Sequence, residues 1–404
     1  MMTSMMEKMN TDRYRRLLYS ASLFSLLLLM LMVGGCSGNA PRDFNAVAAD
    51  GTLSQGQKVE EILGGMSLEE KVGQMIFVGI TGTEVDATVR DMFARYHFGG
   101  VVEFDRNLQS VEQIMVLNNG LQRTTYGRLP LFIAIDEEGG QVARMRDVLP
   151  PPPAQLTIGQ TGRPELAREW ATNISGSLKA MGFNLNFAPV ADLGSFKDRH
   201  YSTDPKVAAD FVSAAASGYE ESGMLYTLKH FPGIGRGKTD THLDTVVVDA
   251  SPELLNSTDV VPFARVIREN SNDKQMIMVS HVIYSGMGVQ KPASLSPEIM
   301  TRLLRDQLGY QGVVITDDLA MGAVSRYYTP GEAAVASVMA GVDMVMSCHI
   351  YKNQEETAKA LLEAVKTGKI SEERINESLR RIIRAKLNLA PPKRELIVKR
   401  SLDA

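Results

Sequence analysis

The stretch Val313-Val314-Ile315-Thr316-Asp317-Asp318-Leu319-Ala320-Met321 is a short β-branched run that stops abruptly on two carboxylates. A run of this length and composition reads as a buried strand, and its acidic end as the point where the chain leaves the sheet. Seven other apolar runs repeat the pattern, at 75–80, 100–104, 131–135, 185–190, 225–228, 275–279 and 342–346, with the run above counted from 312 to 316. Between most of them lies a stretch long enough for a crossover helix, including 86–96, 111–124, 205–222 and 297–308, and two helical segments, 354–366 and 371–387, follow the last. Eight β/α units in series predict an α/β fold, a (β/α)8 barrel forming one catalytic domain over 56–390. A doubly wound open sheet is the alternative, but no glycine-rich dinucleotide fingerprint follows the first run.

Polar residues gather at the ends of these runs. Asp136 follows the third, Asp192 the fourth, Lys229-His230 the fifth, Ser280-His281 the sixth and Asp317-Asp318 the seventh. In a barrel those ends converge on one mouth, where catalytic groups are found. A single charged residue after a strand is commonly a helix cap; five such ends fit an active site better. Asp317, on a rigid strand end, suits a nucleophile, and Asp318 suits the cap of the following helix. Adjacent carboxylates on an extended chain point in different directions, which predicts two roles.

After Lys229-His230 comes Phe231-Pro232-Gly233-Ile234-Gly235-Arg236-Gly237-Lys238-Thr239-Asp240-Thr241-His242. Glycine gives this segment the backbone freedom to carry an acid/base group over a substrate, though an ordinary surface loop has the same composition. A carboxylate nucleophile with a separate proton donor is the equipment of retaining glycoside hydrolysis. The donor is usually a carboxylic acid; a histidine oriented by a carboxylate can replace it, and Asp240 with His242 provides such a pair. Lys229 could instead form a Schiff base, but Asp317 has no clear task in that chemistry. The six histidines show no metal-ligand spacing, and neither a metal nor a cofactor is expected.

Composition bounds the remaining choices. The chain has 404 residues, 44% apolar and 22% charged, in the range of soluble globular proteins. Its net charge of −4 leaves no basic footprint for nucleic acid. Arg13, Arg15 and Arg16 precede an apolar stretch at 21–33, the length of a signal-peptide core, and Val33-Gly34-Gly35-Cys36 follows. A lipoprotein signal at 1–35 with Cys36 lipidated is expected; an uncleaved anchor helix or a plain signal peptide is the alternative. A tether at 36–55 and a tail at 391–404 complete the organisation. Cys348 is then the one remaining cysteine, so no structural disulfide is expected.

Together the segments resemble glycoside hydrolase family 3, in its β-N-acetylglucosaminidase branch, over about 67–389. Ile135-Asp136-Glu137-Glu138-Gly139-Gly140-Gln141-Val142 with Arg144 is similar to the family's D-x-E-G-G-x-V-x-R segment. Asn186-Phe187-Ala188-Pro189-Val190-Ala191-Asp192 resembles its N-F-A-P-V-x-D strand, and Lys229 to Gly233 its K-H-F-P-G signature, followed by the branch's D-[ST]-H at 240–242. Gly312 to Met321 resembles the strand that bears the nucleophile. The resemblance implies Asp317 as nucleophile, His242 oriented by Asp240 as acid and then base, and Asp136, Arg144, Arg199, Lys229 and His230 as sugar-binding residues. It implies an exo-acting retaining enzyme on terminal N-acetylglucosamine of peptidoglycan fragments or chitooligosaccharides; the N-terminal signal separately leads us to expect it outside the cytoplasm, anchored by a lipid. A β-glucosidase, β-xylosidase or phosphorylase of the same family, or a catalytically silent sugar-binding lipoprotein, is the alternative. The chain departs from the family at Ile234, often histidine, at Glu137, commonly glutamine, and at Gln141, commonly arginine.

Overall fold

In the computed structural model the described residues are 43–125, 127–194, 197–237 and 245–389. Asp240, His242 and Cys36, with the expected signal and C-terminal tail, lie outside them.

All eight runs form strands: β1 Ile76–Gly79, β2 Gly100–Glu103, β3 Phe132–Ile135, β4 Leu185–Asn186, β5 Leu225–Phe231, β6 Gln275–Val279, β7 Val313–Asp318 and β8 Met344–Ser347. They close as a parallel barrel in the order β1-β8-β7-β6-β5-β4-β3-β2. The (β/α)8 expectation therefore holds. Every strand but β7, where Asp317 is partly exposed, is buried along its length, as expected for a sheet covered by helices on one side and filled on the other.

Aromatic rings fill the bore. Phe77 of β1 stacks on Phe132 of β3 at 5.9 Å and meets Phe187, just past β4, at 5.8 Å. β1 is adjacent to neither β3 nor β4, so the rings meet inside the barrel. Gly100 of β2 makes the room, because a Cβ there would lie 2.4 Å from the Phe77 ring. Helices wrap the outside, including Ala87–Tyr96, Val111–Arg123, Pro164–Ala180, Pro205–Glu221, Val261–Glu269 and Pro330–Ala340. Their starts are legible chemically: Asp204 accepts the Lys206 and Val207 N–H groups ahead of Pro205, and Thr329 and Glu332 form a capping box around Pro330. The final helix, Glu372–Lys386, is tied to the barrel by Arg381 on Asp343 (3.0 Å) and Lys386 on the Gly99 carbonyl (2.8 Å).

Three boundaries differ from expectation. The run 185–190 pairs as a strand only at Leu185–Asn186, because Pro189 has no N–H to give the ladder; Val190 regains one bridge to Lys229. β5 continues past Leu228 to Phe231, so Lys229 and His230 belong to the strand itself. Within the expected tether, residues 44–49 form a helix whose Phe44 and Val47 are buried, so part of that segment is packed. No helix of the described residues is long and apolar enough to cross a membrane.

Candidate active site

A cleft of about 320 Å³ opens at the C-terminal ends of the strands, and Asp136, Arg144, Arg199, Lys229, His230, Asp317 and Asp318 line it. Every expected site residue among the described ones is thus brought to one cavity. Two register irregularities help. On β5, Lys229 pairs with Met278 and Phe231 with Val279, so His230 is an extra residue. On β7, Ile315 pairs with Met344 and Asp318 with Met346, again one residue extra on the β7 side. A bulge breaks strict alternation, which lets consecutive side chains reach one face. Asp317 and Asp318 both line the cleft, and their different partners keep the expected two roles.

The inner end of the cleft is a buried ion network. Lys229, 2% exposed, donates to Asp136 Oδ1 at 2.5 Å and to Glu138 Oε1 at 2.7 Å. Arg199 grips Glu138 with two bonds, Nε to Oε2 at 2.8 Å and NH2 to Oε1 at 2.7 Å. Arg144 stands 3.6 Å from Asp136 Oδ2. Burial alone would raise the Asp136 pKa, but Lys229 and Arg144 outweigh it and hold it at about 2. Glu138 is likewise lowered despite burial by Lys229 and Arg199, and Lys229 is raised despite burial by Asp136 and Glu138. Asp136, Glu138 and Lys229 therefore stay charged at neutral pH, and a charged, fixed set of donors and acceptors suits sugar hydroxyls.

His230 is oriented by Asp192, which takes its ring Nδ1 at 2.8 Å and its backbone N–H at 3.0 Å. The Nδ1–H faces the carboxylate, leaving Nε2 as the free nitrogen. The same Asp192 Oδ1 accepts the Ile234 N–H at 3.0 Å, so the departure at Ile234 leaves the loop's base anchored through its backbone. Gly235 packs so closely on this layer that a Cβ would lie 1.6 Å from the Leu193 carbonyl oxygen, and Tyr284 donates to the Gly233 carbonyl at 2.8 Å. The first part of the glycine segment is therefore pinned to the barrel.

Asp317 Oδ1 accepts the Asp318 N–H at 2.8 Å, which fixes its carboxylate at the strand end. Asp318 accepts from Ala320 N–H at 3.1 Å and meets His349 Nε2 at 3.2 Å. Its expected capping role is confined to that turn, since the next helix, Gly322–Ser325, has Met321 at its cap. His281, buried behind them, bonds Ser294 Oγ through Nδ1 and the Asp318 carbonyl through Nε2, and burial lowers its pKa. It therefore supports the β7 end as a neutral ring.

Glu137 lies on the Glu137–Gly139 strand of a small hairpin whose other strand is Val142–Ala143. Its Oε2 accepts the Met145 N–H at 3.2 Å, next to Arg144. Burial raises its pKa to about 7. Asp192 and His281 were expected at the mouth as strand-end residues without an assigned role; Glu138 and His349 were not expected to act there. Asp192 and Glu138 stand in the motifs quoted above and could have been found there; His349 carries no local signal. Among the described residues no group of three or more His, Cys, Asp or Glu could hold a metal ion.

A (β/α)8 barrel whose mouth combines a strand-end carboxylate with a ring of fixed ions suits a glycoside hydrolase. The chain belongs to glycoside hydrolase family 3: the family's N-terminal domain matches residues 67–385. It is 33% identical over 350 residues to β-hexosaminidase A of Pseudoalteromonas piscicida, covering 79% of this chain and 58% of that one. It is 36% identical over 285 residues to a β-hexosaminidase of Xylella fastidiosa, covering 68% and 83% respectively. A glycoside hydrolase family 3 β-N-acetylglucosaminidase from Paenibacillus superimposes with a TM-score of 0.78 at 34% identity, over 84% of this chain and 65% of that one. The chain thus spans less than two thirds of the Pseudoalteromonas and Paenibacillus proteins.

Proposed function

We propose that the protein is an exo-acting retaining β-N-acetylglucosaminidase. Its substrates are peptidoglycan fragments or chitooligosaccharides with a terminal N-acetylglucosamine. The observation that carries this reading is the convergence of Asp317 with Asp136, Arg144, Arg199, Lys229 and His230 on one cleft. In the proposed mechanism Asp317 attacks the anomeric carbon, forming a glycosyl ester, while a proton passes to the leaving oxygen; water then cleaves the ester with the same group acting as base.

The charge state of the cleft bears on the proton donor. Of the described carboxylates lining it, Asp136 is held at about 2 and is ionised at neutral pH, and Asp318 is engaged by Ala320 and His349. Asp136 is thus no proton donor and Asp318 is already bonded, which supports His242 with Asp240 as the acid/base pair. The names of the relatives above support N-acetylglucosamine over glucose.

Full-length protein in detergent, given chromogenic β-N-acetylglucosaminide and β-glucoside with and without phosphate, tests this. Faster cleavage of the N-acetylglucosaminide, unaffected by phosphate, is expected. No turnover of either glycoside sinks the enzyme reading, and a phosphate requirement moves it to a phosphorylase. Anchoring through a lipidated Cys36 is also proposed, on the signal at 1–36. Cys36→Ala should release the protein from the membrane fraction and abolish labelling by a fatty-acid analogue.

A further inference from the structure

Beyond β6 the chain runs on as Ser280-His281-Val282-Ile283-Tyr284, with all but Ile283 buried. His281 reaches across to the end of β7. Its Nε2 lies 3.1 Å from the Asp318 carbonyl, which can only accept, so the ring proton sits on Nε2. Nδ1 is then an acceptor, and the Ser294 hydroxyl donates to it at 2.8 Å. Ser294 stands in the 3-10 turn Ala293–Leu295, which is fastened to the same segment by Ser294 N–H on the Ser280 carbonyl at 3.1 Å and Ala293 N–H on the Val282 carbonyl at 2.9 Å. The ring is therefore held in one orientation and one tautomer.

The rest of the segment holds the flanks of the glycine stretch. The Tyr284 hydroxyl donates to the Gly233 carbonyl at its start. Ile283–Tyr284 pairs in parallel with Val247–Val248 past its end, and the Ile283 N–H donates to the Val246 carbonyl at 2.9 Å. Gly286 continues the contact, since a Cβ there would lie 2.3 Å from the Ala250 carbonyl oxygen. One short piece of chain thus touches both the strand end that bears Asp317 and the two sides of the stretch that leads to Asp240 and His242.

The bond to β7 matters because the extra residue between Ile315 and Asp318 takes that strand end out of the regular ladder. The Asp318 peptide is held from both sides instead. Its N–H donates to Asp317 Oδ1 at 2.8 Å, and its carbonyl accepts from His281 Nε2 and from the Met321 N–H at 3.0 Å. Fixing this peptide fixes the donor that orients the Asp317 carboxylate. A nucleophile and a proton donor act on one bond, so errors in their relative position count directly against the rate.

We propose that Ser280–Tyr284 is a brace between the two halves of the catalytic machinery: His281, locked by Ser294, is a positioning residue for Asp317, and Tyr284 is a positioning residue for the segment leading to His242. Neither residue lines the cleft, so both act through others. The proposal rests on the retaining mechanism above and predicts that the two halves fail in different ways.

The test uses the full chain, a series of chromogenic N-acetylglucosaminides with leaving groups of graded acidity, and the rate at which a ring-fluorinated donor with a good leaving group labels Asp317, read by intact mass. Rates are referred to the fraction of chain that becomes labelled at completion, which removes misfolded protein. Ser294→Ala and His281→Leu should lower kcat/KM about tenfold for every leaving group and slow labelling equally, the worth of one hydrogen bond. His281→Gln, whose amide can still donate to the Asp318 carbonyl, should recover part of the loss. Tyr284→Phe should lower kcat/KM about tenfold for poor leaving groups only, because good ones need little protonation, and should label Asp317 at the wild-type rate. Wild-type labelling rates in both Ser294→Ala and His281→Leu overturn the role of His281. A Tyr284→Phe loss that is the same for all leaving groups, or absent, overturns that of Tyr284. If the wild type neither cleaves the N-acetylglucosaminides nor becomes labelled, the glycosidase reading falls and takes the brace with it.

Discussion

Exchanging Glu137 for glutamine should convert a pH-dependent part of the protein's stability into a pH-independent one. Glu137 is 2% exposed, and its carboxyl faces the Met145 and Arg144 backbone with Asp136 and Arg146 as its charged neighbours. Burial raises its pKa from 4.5 to about 7. The folded state therefore keeps a proton that the unfolded chain releases. This stabilisation is complete below pH 4.5 and is lost as pH rises through 7. A rise of about 2.5 at 1.36 kcal/mol each corresponds to roughly 3 kcal/mol between the two limits. Glutamine is nearly isosteric, its amide oxygen can still accept the Met145 N–H, and it does not titrate. The difference in unfolding free energy between Glu137→Gln and the wild type, read from urea denaturation of the full chain, should grow in favour of the variant by about 3 kcal/mol from pH 4.5 to pH 8.5. All other titrating groups cancel in that difference. A difference that stays flat across this range would refute the reasoning, because the buried carboxyl would then be solvated or ion-paired in solution.

Other perturbations read different parts of the site. Glu138→Ala leaves Lys229 and Arg199 with less counter-charge in a buried network, and should cost about 3–5 kcal/mol of stability in the same unfolding assay. Asp192→Asn removes the charge that orients His230, and should raise KM for the chromogenic N-acetylglucosaminide more than it lowers kcat, since His230 is assigned to binding. Gly235→Ala should lower kcat while leaving the far-ultraviolet circular dichroism unchanged, because its Cβ would collide with the Leu193 carbonyl and displace the segment leading to His242. His242→Ala should lose most of its activity on poor leaving groups and recover part of it on good ones, which need less protonation.

Much of the barrel was legible because strands buried on both faces must be largely apolar, as 75–80 and 131–135 are throughout. The places where the reading slipped have local causes. Pro189 cuts the fourth strand short, and the extra residues at His230 and between Ile315 and Asp318 change which side chains face the cleft. A bulge depends on the neighbouring strand, so no periodicity within one strand reveals it. Asp136, Lys229 and Asp317 were legible as polar ends of apolar runs. The pairings across the site were not: Asp192 is 38 residues from His230, and Glu138 is 61 from Arg199. Pairings at such separations are set by how the barrel closes. Arg106 and His349 are further examples, since 243 residues separate them and neither stands in a segment that announces chemistry.

The covalent role of Asp317 is the centre of the account, and trapping the intermediate tests it most directly. A ring-fluorinated N-acetylglucosaminyl donor with a good leaving group slows hydrolysis of the glycosyl ester relative to its formation. Intact-mass analysis should show one added glycosyl unit, and digestion should place it on Asp317, with no label in Asp317→Ala. A label on any other carboxylate, or continued turnover in Asp317→Ala, would contradict the assignment.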